Sequence, residues 1–600
     1  MKRTSILFAL ALLLCCFGVS RAQTTSGDLV GTVTDFTGAA ISHAAIVATN
    51  ADTGVRSTTT ANEQGEFRIP NLIAGSYNVT ASAPSFADTA VKAFAIQLNR
   101  SSTINLKLMA QGSSVQVEVS SDATVALDTT TAQLQLNLSN QEVSVLPTST
   151  VGLGVLNASL LSANVATSGG IGAGTGPSVG GQRPRANSFN IEGIDNNNKS
   201  VTGPNVYVPN DAVGDFTLLT NQFGPEFGHS VGGQFNTTVV SGTNTLHGRA
   251  YEYFQNRNLN AIDATVSRSF QPGTKPFNPR FDYNRYGGQV GGPVLKDRAF
   301  FFANYERQTT GQGLQYALCT PTAVGISTLS SLSGLSATNL AIYKQYTPVS
   351  PTQVTAQSDN ACGATSLTVN GAQIPLGNFQ VSSPVFTNFD ALTTSGDLTL
   401  SPKDSLRLRY IYNTTGSSDT TANLPAFFTS TPTKYHLIAL SEYHNFTPSL
   451  TNELRVGFNR YDNSTPAGNF NFPGLNAFPN LTFDDQGSIN YGPDPNAPQT
   501  TVQNLYQLTD NVSWIRGKHT FKLGFDGRKY ISPQSFTQRV RGDYEYTSVS
   551  EFLNDLAPST FGERSTGNFF YYGDQMALYG YAADTWRALP SPRHQLRLTI

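Results

Sequence analysis

The chain has 600 residues, a net charge of −2 and only 13% charged residues, about half the usual share for a soluble protein. That length leaves room for several domains, and nothing in the near-neutral balance points to nucleic acid. Glycine (53 residues) and aromatics (10%) are plentiful.

At the N-terminus Lys2 and Arg3 precede an apolar run from Ile6 to Val19, and Ser20, Arg21 and Ala22 put small residues where a signal peptidase cuts. This order predicts a secretory signal over residues 1–22, too short to span a bilayer. A lipoprotein needs a small residue before its cysteine, but Leu14 precedes Cys15 and Cys15 precedes Cys16. Cleavage after Ala22 removes both. The mature chain keeps Cys319 and Cys362, an even number in an exported protein, which reads as a disulfide, with two free thiols as the alternative. No later segment approaches an apolar helix long enough to cross a membrane. A membrane location therefore requires a closed barrel, the strand architecture that leaves no backbone polar group unpaired in lipid.

Residues 23–112 are predicted to form a small β-sandwich. Strand-like runs at Leu29–Thr34, Ala45–Thr49, Gly65–Ile69, Ser76–Ala81 and Thr103–Leu108 are separated by Gly, Pro, Asn and Asp turns. Gly31, Val33, Asp35 and Gly38, then Ala45 to Val47, Gly65 to Phe67, and Leu72 through Gly75 and Tyr77 to Val79 resemble the carboxypeptidase-regulatory-like domain. The resemblance implies an immunoglobulin-like sandwich without catalytic groups.

Residues 113–245 change character. A short alternating strand, Ser114–Ser120, is followed by a helix-compatible stretch near Ser139–Leu146, a glycine-rich patch from Gly169 to Gly181, and Phe189 to Asn197. Asn221 to Gly228, Gly232, Gly233 and Ser241 to Gly248 resemble the plug end of TonB-dependent receptors of the Oar-like group. Residues 147–151 depart from the Asn-Gly-Arg-like turn of that group. The resemblance implies an α+β plug. Val115, Gln116, Val117, Glu118 and Val119 resemble a TonB box, a segment gripped by strand addition through main-chain hydrogen bonds. The alternative is that these residues are simply the plug's first internal strand. Asp195 to Asn198 lack the alternating spacing of a calcium loop and read as a turn.

From residue 246 onward, alternating segments of membrane-strand height recur: 246–255, 285–293, 299–307, 393–400, 405–413, 434–446, 451–461, 503–515, 519–531, 574–586 and one starting near 595. The connections between them alternate strictly in length. Long ones (256–283, 308–392, 414–433, 462–502, 532–573) are followed by short ones (294–298, 401–404, 447–450, 516–518, 587–594). A soluble sandwich gives loops no reason to sort by side, whereas outer-membrane barrels place tight turns at the periplasmic rim and long loops outside. Trp514 and Trp586 end strands running into short turns, where an interfacial belt belongs. Eleven strands are half of the twenty-two at which plugged transporters close, so residues 246–600 are expected to be the first half of a barrel of about 22 strands, unfinished at Ile600.

Catalytic chemistry is not expected. None of the seven histidines stands in a zinc-peptidase pair, and no nucleophile elbow or phosphate-cradling loop occurs. No catalytic residue, cofactor or metal ligand is assigned. The expectation is a mainly β outer-membrane transporter of a Gram-negative bacterium. Its sandwich and plug would face the periplasm, its long loops would capture an extracellular solute (carbohydrate or peptide among the candidates), and TonB would supply the work. The loop 308–392, pinned by Cys319 and Cys362, would help form the capture surface. The alternative is a surface adhesin or structural barrel without active transport, and the aromatic loop Asn469 to Gly474 would suit ligand contact in either case.

Overall fold

The computed structural model describes residues 26–110, 118–120, 133–146, 154–167, 176–200, 202–228, 230–262, 264–269, 275–278, 280–517, 519–587 and 597–599. The expected signal segment, most of the glycine-rich patch, the turn at 147–151, the last short connection and Val115, Gln116 and Val117 lie outside the described residues.

The first unit is two facing sheets. One joins Glu66–Leu72, Gly27–Asp35, Leu106–Ala110 and Phe86–Ala87, with Ser101–Thr103 alongside. The other orders Glu118–Ser120, Thr89–Ile96, Gly75–Ser82, Ala45–Asn50 and Arg56–Thr60. Alternate side chains such as Leu29, Val33, Ile46, Phe67, Val79 and Phe94 fill the space between them, as period-two patterning requires. The expected strand Thr103–Leu108 is interrupted at residues 104–105, and the strands Arg56–Thr60 and Thr89–Ile96 were not expected.

The second unit is a mixed five-stranded sheet in the order Leu134–Ser139, Val213–Asn221, Gln234–Val239, Ser188–Ile191, Ile194–Asp195. The expected helix is Asn140–Val145, started by a capping box in which Ser139 and Glu142 satisfy each other's backbone. Glu118–Ser120 is not the first strand of this sheet. It pairs in parallel with Thr89–Ile96, Val119 opposite Val91, at the edge of the sandwich.

The third unit is one continuous antiparallel path of strands: β1 (His247–Asn256), β2 (Phe281–Leu295), β3 (Ala299–Pro321), β4 (Ala372–Ser401), β5 (Asp404–Asp419), β6 (Thr429–Thr447), β7 (Leu450–Thr465), β8 (Gln499–Arg516), β9 (His519–Ile531), β10 (Gln575–Arg587) and β11 (Arg597–Thr599). Neighbours in sequence are neighbours in the sheet throughout. Its two faces invert the pattern of a soluble protein. Leu408, Leu440, Val456, Leu508 and Leu523 are exposed on one face, while Arg409, Arg455, Glu453, Gln507 and Arg528 are buried on the other. A face of aliphatic side chains opposite a polar interior suits lipid outside and a filled lumen within.

Several strands run far past bilayer height, which corrects the expected boundaries. Within the expected loop 308–392, residues 308–321 and 372–392 continue β3 and β4, because strand pairs that leave the membrane keep their ladders. Parts of the connections after β3, β5, β7 and β9 fold into a cap with its own core. Helices α1 (Ala323–Ser331), α2 (Ala337–Tyr346) and α3 (Val549–Leu553), the hairpin at 366–376 and strands Asn480–Phe483 and Ile489–Tyr491 bury Leu329, Tyr343, Leu367, Ile374, Phe483, Tyr491 and Phe552 together. Cys319, at the end of β3, is disulfide-bonded to Cys362, with Cα atoms 5.7 Å apart. Phe470 and Phe472, expected as contact residues of an open loop, instead pack on this core, Phe472 lying 5.5 Å from the ring of Phe478. Burial of their apolar area outweighs display to solvent.

Candidate functional site

The site is the seam where the second unit meets the inner face of the barrel sheet. Ser188–Ile191 turns back into Ile194–Asp195 through Glu192 and Gly193, both at positive φ (50° and 70°). Two left-handed residues in succession make the tight turn whose twist matches a hairpin. The tip enters the wall at Arg455, a fully buried guanidinium whose Nη1 donates to the Gly193 carbonyl at 3.4 Å and which also pairs with Glu453. Glu192 accepts from the Val239 amide (2.7 Å) and from Arg409 Nε (3.2 Å), and Arg409 in turn reaches Asp397 (2.9 Å).

Asp195, expected to be a solvent turn, is 1% exposed. Its carboxylate accepts from Tyr530 Oη at 2.6 Å and lies 3.3 Å from Arg528, with Lys199 at 4.0 Å. Burial alone would raise its pKa. Arg528, then Lys199 and the hydrogen bonds from Tyr530 and Asn197, outweigh that and hold the carboxyl below the ordinary range. Backbone groups of the loop are read by wall amides. Gln507 accepts from the Asp195 amide (2.9 Å), Asn459 donates to the Asp195 carbonyl (3.0 Å), and Gln503 accepts from the Lys199 amide (2.9 Å). Further along, the Tyr207 amide donates to Asn413 (2.9 Å), and Asp211 is gripped by Arg249 and by Arg285 at 3.3 Å. Near the short-turn rim, Lys522 pairs with Glu226 at 2.9 Å. The apolar part of the seam is continuous too, since Phe302, Ile411, Leu437 and Ala439 of the wall join Phe189, Ile191, Phe216 and Phe235 in one core.

The sandwich sits against the short-turn end of the same assembly. The Asn244 amide donates to the Asp52 carbonyl (3.0 Å), and its side chain bridges Thr53 to Asp297 in the turn between β2 and β3. Arg68 reaches Ser513 (3.3 Å) and Asn71 reaches Asn445 (3.5 Å), at the bases of β8 and β6. Trp514 and Trp586 face outward at this rim, the latter 5.9 Å from the parallel ring of His519.

Residues 238–592 match the outer membrane beta barrel domain, and residues 28–109 match the carboxypeptidase regulatory-like domain. The chain belongs to the outer membrane beta-barrel family. It is 26% identical over 309 residues to the TonB-dependent transporter Oar of Myxococcus xanthus, a match covering 51% of this chain and 28% of that protein. The chain thus spans little more than a quarter of that relative. Among solved structures it is similar to the outer-membrane transporter YddB of Escherichia coli (14% identity, TM-score 0.48, 76% of this chain and 55% of that one). It is also similar to the siderophore receptor PirA of Acinetobacter baumannii (12%, TM-score 0.44, 76% and 55%). This barrel protein resides in the Gram-negative outer membrane, and the curated relative it matches is a transporter.

Of the residues singled out from sequence, Glu118 and Val119 lie on the sandwich edge, and Cys319 and Cys362 lie in the cap, away from the seam. The seam itself was missed. Its signal was available in the strands: Arg407 and Arg409, Glu453 and Arg455, Asp526 and Arg528 recur at period two, alternating with exposed Leu408 and Leu454 and with half-buried Gly527. Charges on one face of a bilayer-height strand cannot face lipid.

Proposed function

We propose that this chain works as an energised outer-membrane importer in which residues 113–245 are a plug inside the barrel. The observation that carries the reading is the buried loop Glu192–Asn198, held by side chains from β5, β7, β8 and β9 in addition to the bonds within its own unit. A solute captured at the extracellular cap would be admitted when that loop is released. The outer membrane has no energy source of its own, so release needs mechanical work from the periplasmic partner TonB, and Val115–Val119 is the proposed handle. Support for the handle comes from Glu118–Ser120, which already takes part in edge-strand pairing, the mode by which an extended peptide is gripped almost regardless of side chains. The solute is unidentified.

The test is binding of the purified periplasmic domain of TonB to the full-length protein in detergent, measured calorimetrically. The unaltered protein should bind, and a variant lacking Val115–Val119 should not. Equal affinity of the two would sink the handle.

A further inference from the structure

Among the described residues, five ion pairs fasten plug to wall, and they share one polarity. Asp211 meets Arg249 and Arg285, Glu192 meets Arg409, Asp195 meets Arg528, and Glu226 meets Lys522. In each the carboxylate belongs to the plug and the cation to the wall. The bias extends through the whole unit: residues 113–245 carry nine carboxylates against three cations, Arg183, Arg185 and Lys199, in a chain whose net charge is only −2. The wall has carboxylates of its own, such as Asp397 beside Arg409 and Asp526 beside Arg528, but each of these cations also pairs with a plug carboxylate.

Resting on the plugged-importer reading, we propose that the passage selects small anionic solutes, with the plug's carboxylates serving as built-in counter-ions at positions the solute's charges later occupy. The argument is one of compensation. Arg285, Arg409 and Arg528 are at most 5% exposed, and withdrawing a partner from a buried charge is far more costly than exchanging one partner for another. When the plug moves, Arg249 and Lys522 lose their carboxylate partners, and Arg285, Arg409 and Arg528 each drop from two carboxylates to one, Glu306, Asp397 and Asp526, so the wall becomes more positive. A solute bearing carboxylate or phosphate groups restores the balance as it enters, so its arrival lowers the cost of plug release. A cation would meet the same field as a barrier. Selection and opening thus act through the same arginines.

The experiment uses the full-length protein in planar bilayers of neutral lipid, with KCl at unequal low concentrations across the membrane and urea on the periplasmic side. Urea solvates the plug's peptide groups and should open the lumen before the lipid-embedded barrel unfolds. The expected result is a urea-dependent conductance in which chloride permeates on the order of several-fold better than potassium, a preference that shrinks toward unity in Arg409→Gln/Arg528→Gln and fades at high salt. A potassium-preferring or unselective conductance in the unaltered protein overturns the proposal and leaves the importer reading standing. No conductance at all, from protein shown to be inserted, overturns the plugged passage and this inference with it.

Discussion

Gly193 lies directly under the guanidinium of Arg455, so that a β-carbon on the glycine would stand 2.0 Å from Nη1. The residue is also held at φ +70°, a conformation side chains resist. Gly193→Ala therefore combines backbone strain with a steric push on a buried arginine. We expect it to weaken plug docking by about 2–4 kcal/mol, read as faster hydrogen exchange in residues 188–195 with the barrel strands unchanged. Exchange as slow as in the parent protein would refute the contact.

Asp195 and Arg528 should show strong coupling. Asp195→Ala leaves Arg528 sharing only Asp526, and breaking a buried pair from one side costs about 3–5 kcal/mol. Arg528→Ala should cost a similar amount, while the double variant should cost much less than the sum. A double-mutant cycle on plug release in urea measures this, and additive losses would show that the pair is not coupled.

These residues show where sequence reading reached and where it stopped. The ladder of β1 to β11 was legible because period-two alternation and the sorting of short and long connections are local properties. Strand ends were not, since β3 and β4 continue above the membrane only because each supplies the other's ladder. Asp195 looked like a turn residue because its three following asparagines are common in turns, and its partners Gln507, Arg528 and Tyr530 lie more than 300 residues away. Phe470 and Phe472 looked like an open contact loop for the same reason: the cap core that buries them is assembled from four separate connections. Local pattern can place Arg455 and Arg528 on the inner face, but it does not say which distant segment they meet there.

Asp215 should make plug stability depend on pH. Burial pushes its carboxyl up to about 7, which the hydrogen bond from Thr217 offsets only in part, against 3.8 for the ordinary group. The unfolded carboxyl therefore loses its proton first. Stability is full below about pH 4, declines as pH rises toward 7 and is level above it, a loss on the order of 4 kcal/mol. Asp195 has the opposite sign, but its contribution is lost only in strong acid and is constant across this window. Asp215→Asn should flatten the profile of hydrogen exchange in Val213–Asn221 between pH 4 and 8. A variant that keeps the slope would assign it elsewhere.

The docked sandwich should be trappable at the rim. Asn71 Nδ2 lies 3.5 Å from Asn445 Oδ1, so the two side chains meet end to end. Asn71→Cys/Asn445→Cys should therefore be bridged by a short bis-methanethiosulfonate reagent in isolated outer membranes, seen as a mobility shift that reductant reverses. Asn71 and Asn445 lie on opposite sides of the sandwich–barrel contact, whereas Cys319 and Cys362 are in the cap, so the native disulfide offers no competing partner nearby. Because the sandwich spans from the Asp297 turn to the bases of β6 and β8, the same cross-link should also hold back the plug behind it. In the bilayer experiment, the bridged variant should need more urea to conduct than the reduced one. Failure to cross-link, with both cysteines accessible to a small maleimide, would mean that the sandwich does not rest on the barrel in the membrane.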